Sequence, residues 1–477
     1  MKGIFTTAFA VLLCFSIYAQ SPRTLTVQKC LEIAMENNLD IKRANLDLTS
    51  NEINLKQSQY SRLPNANLNW SYGFNWGRSI DPTSNQFISQ RITSSGLNGN
   101  SNMVVYNGLR QFNTVKQNRV NIEASESDLS RAQNDLIINI ANLFLGVILN
   151  EELLANAQYQ LDNSRTQLDR TRILVESGAL PITNQLELAS QVASNEVALV
   201  NAQNNLDISM LNLKQAMLIP TSDEIELEIP EFQQIENPDL SMSSETAYGV
   251  AEQVMPEIKS ADLLVESAQL GVKVAQGGIV PTVSVGGGFS TNYSDARDQR
   301  FVSDGTFSVS DNPTSAVTAS GEAIFPLNPG GTFEKVGYTE QFDDNLSWNL
   351  GVGISIPIFN GLNTHSSIQR AKVQLQQAEI GSLQARNVLR QQVETIYTNA
   401  VAASKTYTAS LRQVEALEET FRSIENQYNL GAANFTDYQV ASNNLFQAKS
   451  DLVRAKYDFV FKKKVLDLYQ GKPLSFE

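Results

Sequence analysis

The chain is 477 residues long and carries 36 basic against 50 acidic side chains, a net charge of −14 at pH 7. A polyanion of this size argues against nucleic acid as a partner. One histidine, His365, and two cysteines, Cys14 and Cys30, leave almost nothing from which to build a histidine zinc site, a Ser-His-Asp triad or a disulfide framework, so no metal or other cofactor is expected.

Residues 1–19 read as a secretory signal peptide: Lys2, an apolar run from Ile4 to Ile17, then Ala19 before Gln20-Ser21. The run is too short to span a bilayer. Leu13 precedes Cys14 where a lipidation box wants a small residue, so no lipid anchor is expected. Without Lys2 the net charge is −15. No later segment has 18 consecutive apolar residues, so no transmembrane helix is expected, which leaves a soluble protein or a β-barrel.

From Thr26 the apolar spacing predicts a first helix to about Arg62, with Leu31, Ala34, Leu39, Ile41, Leu46 and Ile53 on its apolar faces and Pro64 ending it. After the proline the period becomes that of a strand. Leu68, Trp70, Tyr72, Phe74 and Trp76 alternate with Asn67, Asn69, Ser71, Gly73 and Asn75, so the large apolar groups share one face. A second, weaker strand runs from Leu97 to Val105, carrying Gly99 and Ser101 on its apolar phase.

Beyond Asn107-Gly108-Leu109 a heptad pattern begins. Val115, Ile122, Leu129, Leu136 and Leu143 recur every seven residues, and after a jump of eleven come Leu154, Leu161, Leu168 and Val175. Sevens make a coiled-coil seam and the inserted eleven unwinds it locally. One helix of about 70 residues, roughly 100 Å at 1.5 Å per residue, is predicted up to Ser177-Gly178-Ala179. That turn leads, through Pro181, into a shorter helix from Thr183 to Met217. The stretch 219–245 has no lysine or arginine and eight acidic residues, and reads as a linker with a short strand around Ile225-Leu227-Ile229.

The plan then repeats. Ala34, Ile41, Lys42, Ala44 and Pro64 match Ala251, Ile258, Lys259, Ala261 and Pro281 at one spacing. Val283, Val285, Phe289 and Tyr293 form a strand phase, as do Trp348, Leu350, Val352, Ile354, Ile356 and Ile358. Asn360-Gly361-Leu362 opens a second long helix with Ile368, Leu375, Ser382, Leu389, Ile396, Tyr407, Val414, Phe421 and Tyr428 in the same register, ending at Leu430-Gly431-Ala432, and a shorter helix follows from Thr436 to Tyr469. The domains are thus a first repeat (20–218), the acidic linker (219–245), a second repeat (246–471) and a tail (472–477). From Pro64 to Val105 is 41 residues but from Pro281 to Ile358 is 77, and the excess, near Asp295–Asp344, reads as a long surface loop.

Trp70, Tyr72, Phe74, Phe289, Trp348, Val352, Ile354 and Ile356 are the lipid-facing candidates. Four strands cannot close a membrane barrel, so several copies must share one. The expected fold is therefore an internally duplicated long α-helical coiled-coil barrel continuous with a shared transmembrane β-barrel.

This plan resembles the TolC-like outer-membrane efflux protein family over essentially the whole mature chain. The resemblance rests on the junctions at Pro64 and Pro281, on Val105-Tyr106-Asn107-Gly108 and Ile358-Phe359-Asn360-Gly361, and on the two glycine turns. It implies a homotrimer with twelve strands in the outer-membrane lipid and a long periplasmic helical tunnel. It also implies a periplasmic adaptor, attached to an inner-membrane transporter, docking at the tips Ser177-Gly178-Ala179 and Leu430-Gly431-Ala432. By the same resemblance Asp437 takes the first acidic entrance position, Val440 the second, and Asn184 and Ala433 the polar latch positions, with Glu187 one turn after Asn184 as a further carboxylate. Asp437 also fits a helix N-terminal carboxylate satisfied by the dipole.

The function expected is a passive exit duct fed by an energised partner; the alternative is a surface-interaction protein, an adhesin or receptor, using 295–344. Enzyme action is not expected. The pairs Glu151-Glu152 and Glu418-Glu419 point apart on their helices, and Gly286-Gly287-Gly288 lies in a strand with no following lysine.

Overall fold

The computed structural model describes residues 23–80, 86–89, 91–228, 243–297 and 299–472. The expected signal peptide, the linker between 229 and 242 including Ile229, and the tail from 473 lie outside the described residues. The chain forms two compact units: a helical one of Met1–Asn51, Val120–Val265 and Gln376–Glu477, and a strand-bearing one of Glu52–Arg119 and Glu266–Leu375.

In chain order the elements are β1 (Arg23–Leu25), α1 (Val27–Asn37), α2 (Leu39–Tyr60), β2 (Asn65–Asn75), β3 (Arg78–Ile80), β4 (Phe87–Ser89), β5 (Ile92–Tyr106), α3 (Arg110–Glu176), α4 (Ile182–Ala216) and β6 (Ile225–Leu227). The second repeat supplies α5 (Ser244–Val254), α6 (Pro256–Gln276), β7 (Thr282–Ser294), β8 (Gln299–Val309), β9 (Leu327–Lys335), α7 (Tyr338–Asp344), β10 (Ser347–Ser355), α8 (Asn363–Asn429) and α9 (Phe435–Tyr469). The duplication holds to the residue. α3 and α4 become α8 and α9 on a shift of 253, and α1 becomes α5 on a shift of 217.

The heptad positions expected along α3 and α8 lie on the packed side: none is exposed. In the helical unit they run from Ile122 to Val175 and from Ser382 to Tyr428. The main core gathers Leu136, Ile140, Phe144, Val147 and Ile148 of α3 against Cys30, Leu213, Met217, Tyr457 and Val460. α3 is also the one described helix apolar enough, over 18 residues, to cross a membrane by length and composition. These buried side chains give that apolarity an internal use. Burial pushes the Cys30 thiol up to about 12, which leaves it an inert core residue. The short strand expected near Ile225 is β6, and it pairs parallel with β1, Leu25 opposite Leu227.

The single first helix expected from Thr26 to Arg62 is instead two helices. Asn38 breaks it: its Oδ1 accepts from the backbone N–H of Asp40 (2.8 Å) and Ile41 (3.0 Å), capping α2. In the second repeat the break falls at Met255 (φ −71°, ψ 127°), which Pro256 forces out of the helical region. Two different local chemistries produce the same interruption, with α6 beginning 217 residues after α2.

The strand-bearing unit holds an antiparallel sheet of order β10-β7-β5-β2. The second strand expected from Leu97 is longer, beginning at Ile92. The excess segment lies at the surface as expected, exposed over most of its length, but it is not simply a loop. It folds into a β8–β9 hairpin, Phe301 opposite Phe333, followed by α7. Arg300 ties the two together through Glu340 (2.9 Å) and Asp344 (3.1 Å).

Candidate functional site

The strand register sorts the sheet into two faces. On one, Leu68, Trp70, Tyr72 and Phe74 lie level with Gly99, Leu97, Ser95 and Thr93, and Trp348, Leu350, Val352 and Ile354 with Phe289, Gly287, Val285 and Val283. The lipid-facing candidates of the strands therefore share this face, and Ile356 follows just past β10, exposed. Rings run along β2 with centroids 6.4, 5.4 and 6.0 Å apart from Trp70 through Tyr72 and Phe74 to Trp76, and Phe289 meets Trp348 at 5.3 Å. The gap that Gly99 leaves in the apolar phase is filled by the Phe289 ring, which occupies the space a side chain there would need.

The polar residues on the same face have a different cover. Thr93, Ser95 and Thr291 are buried. Thr291 Oγ1 donates to the Phe342 carbonyl (2.6 Å), the Ser95 hydroxyl bonds the Tyr338 hydroxyl (2.9 Å), and Tyr338 stacks on Phe342 (4.6 Å) and packs on Tyr293 (4.8 Å). α7 thus caps the polar end of an otherwise apolar face. Sequence reasoning missed it; Tyr338 and Phe342, four apart beside that Ser/Thr phase, were the available signal.

The opposite face is uncharged. Asn65, Asn67, Asn69, Ser71, Gly73 and Asn75 pair with Asn102, Asn100, Asn98, Gly96, Ser94 and Ile92, and the level residues of β7 and β10 are Gly, Ser and Asn. None of the four strands carries a charged side chain.

In the helical unit, Gly178 (φ +80°) and Gly431 (φ +78°) end the long helices. The Gly178 N–H donates to Val175 O (2.9 Å) and Ala179 N–H to Leu174 O (2.8 Å), and Gly431 and Ala432 repeat the pattern on Tyr428 and Gln427. This paired closure is the Schellman motif, which needs a left-handed residue where glycine stands. Ser177, Gly178, Ala179, Leu430, Gly431 and Ala432 are all exposed. Beneath them Leu188, Phe435 and Tyr438 pack with Leu168, Phe421 and Tyr428, one residue or more from each of the four helices. Arg170 Nη1 donates to Asn429 Oδ1 (2.8 Å) across the two turns.

The three entrance candidates occupy related positions. Asp437 and Asn184 are repeat equivalents, third in α9 and α4, and Glu187 corresponds to Val440. The Asp437 N–H donates to its cap, Asn434 Oδ1 (2.8 Å), which satisfies the backbone and leaves the carboxylate exposed. Glu187 is exposed and Asn184 half-buried. The helix that follows each tip turn therefore offers one carboxylate in its opening turns, offset by one helical turn between the repeats, while Glu176 before the first tip is paired with Arg172 (3.1 Å).

A family model for outer membrane efflux proteins matches residues 30–217 and 247–469. The chain belongs to this family. Its place is accordingly the outer membrane, and the TolC-like resemblance of the sequence holds. Among curated relatives, Outer membrane protein TolC of Escherichia coli (strain K12) is 24% identical over 333 residues, 69% of this chain and 59% of TolC, so the match spans about three-fifths of that protein. Outer membrane efflux protein BepC of Brucella suis biovar 1 is 21% identical over 458 residues, 95% of this chain and 87% of BepC. Among solved structures, CusC superposes with a TM-score of 0.71 at 18% identity over 96% of both chains. The Campylobacter jejuni CmeC outer membrane channel gives 0.72 at 15% identity, over 94% of this chain and 86% of CmeC. These likenesses establish the efflux-channel fold.

Proposed function

We propose that the protein is the passive outer-membrane exit duct of a tripartite efflux or secretion system. Three protomers share one twelve-stranded barrel, and cargo enters through the helical unit from a periplasmic adaptor and inner-membrane pump. The observation that carries this reading is the sheet: four uncharged strands, open at both edges, with large apolar side chains on one face and mainly Asn, Ser and Gly on the other. In lipid such a sheet is stable only when closed by further copies. Its polar face then lines the pore, and the carboxylates of Asp437 and Glu187 sit nearer the tips, where the duct is gated. The adhesin reading depended on 295–344, and α7 in that segment buttresses the sheet. Native mass measurement in mild detergent should give a trimer, and a tagged trimer should retain its adaptor from membranes. A stable monomer under those conditions would overturn the proposal.

A further inference from the structure

We propose that the helical unit carries a binding site for a small neutral molecule bearing an acetamide group, of the size of an N-acetylated monosaccharide, in a cavity between α3, α4, α8 and α9. The cavity, about 290 Å³, starts at the cluster of Leu188, Phe435 and Tyr438 beneath the tips and extends away from the turns. That is close to the lower end of the range for small-molecule sites, roughly 300–1,000 Å³, and well above the space of a single buried water. Every lining residue belongs to the helical unit of one protomer, so the site does not rest on the duct reading.

Two buried polar atoms in the cavity wall meet no partner within the chain, Asn195 Nδ2 and Gln167 Oε1. Asn195 is only 5% exposed. A buried donor left unpaired is destabilising, and the fold does not require one there. The equivalent position of the second repeat, 253 residues on, is Ala448, which at 2% exposure is just as buried. The Asn195 amide is also held in place by a relay of its own kind: Gln439 Nε2 donates to Gln191 Oε1 (2.6 Å), and Gln191 Nε2 donates to Asn195 Oδ1 (2.9 Å). With its oxygen engaged, Asn195 offers its amide N–H to a ligand. Gln167, hydrogen-bonded to the Tyr438 hydroxyl, offers an acceptor.

The rest of the lining selects the class of ligand. Its charged side chains are two of each sign, Glu418 and Glu425 against Arg422 and Lys449. Lys449 is already paired with Glu418 (2.8 Å) and Arg422 with Glu419 (2.9 Å), so neither cation is left to call an anion into the cavity. A purely apolar molecule would leave both amide atoms unsatisfied. An acetamide answers every feature: its carbonyl accepts from Asn195, its N–H donates to Gln167, and its methyl group meets the apolar floor of Leu188 and Phe435.

The test is saturation-transfer NMR on the full-length protein in detergent. N-acetylglucosamine is the probe; glucose, which lacks the acetamide, and glucosamine, which replaces it with a charged amine, are the controls. N-acetylglucosamine should bind at millimolar concentration and each control about tenfold more weakly, the effect of roughly one hydrogen bond. Asn195→Ala, which copies Ala448, and Ser442→Phe, which fills the cavity, should each weaken N-acetylglucosamine binding by about tenfold or more. Both should keep the native mass of the parent, and the melting temperature of Asn195→Ala should hold or rise, since an unpaired buried amide is removed and helix propensity gained. Glucose binding as well as N-acetylglucosamine, binding unchanged in both variants, or a parent that binds none of the three sugars and holds only water in the cavity would each overturn the site.

Discussion

Gly108 and Gly277 approach so closely that neither could carry a side chain: a Cβ on Gly108 would lie 2.7 Å from the Gly277 carbonyl oxygen, and one on Gly277 would lie 2.8 Å from that of Gly108. The strand-to-helix turn of the first repeat is thereby locked to the end of α6. Gly277→Ala should destabilise the strand-bearing unit by about 1–3 kcal/mol through overpacking. Thermal melting of the detergent-solubilised protein, which should shift downward relative to the parent, checks it.

The two faces of the sheet should respond oppositely to charge. Arginine at Trp348 or Ile354 should impair assembly by about 2–4 kcal/mol near the bilayer centre, whereas arginine at Asn349 should be far milder. The yield of folded protein in outer-membrane fractions reads this out, and equal damage at both positions would show the faces to be wrongly assigned.

At the tips, Gly178→Val and Gly431→Val meet no neighbour, since nothing lies within 4 Å of either position, but both positions have φ near +80°. A β-branched residue in that conformation costs about 1–2 kcal/mol. Both tips belong to the helical unit. Membrane insertion and trimerisation should therefore survive while adaptor retention in pull-downs falls.

Selectivity should follow the carboxylates near the tips because the four strands of the β10-β7-β5-β2 sheet have no charge with which to select. Asp437→Ala should lower cation preference, measured as a reversal potential across a salt gradient, and Glu187→Gln should lower it further when combined. Asn100→Asp should conversely create cation preference in the barrel. An Asp437→Ala channel with unchanged selectivity would leave that residue as a helix-end carboxylate only.

Acid should loosen the contact of α8 with α5 and α6. Arg386 pairs with Glu252 (3.0 Å) and Asp262 (2.9 Å), and its hydrogen bonds hold the Asp262 carboxyl below the usual carboxylate range. A depressed folded pKa contributes stability above the unfolded value, about 3.9, that is lost as pH falls through the folded one. Stability of the parent should decline through that window more steeply than that of Asp262→Asn, as melting at stepped pH would show.

The long helices were legible because heptads are local and repeated: Val115 through Val175 and Ile368 through Tyr428 specify one face without reference to the rest of the fold. The glycine turns were legible because a Schellman closure asks for one residue type. Other features depended on partners far away in sequence. Asn38 interrupts an unbroken apolar pattern by capping with its own side chain, and β1 exists only because β6 lies beside it. α7 is seven residues long, too short for periodicity, and Gly99 looked like a defect until the Phe289 ring was seen to lie over it. The entrance residues were legible as positions in a resemblance. That Asp437 and Asn184 are equivalent follows from the same spacing that relates Gly178 to Gly431, and α4 and α9 share it over their whole length.

The most direct test of a shared duct is conductance in planar bilayers, recorded from protein whose mass is fixed in the same preparation. Trimer should insert and conduct in discrete steps while dissociated protomers, each bringing four strands, conduct nothing. Steady channels from monomer, or a trimer that never conducts, would contradict a barrel built from three copies.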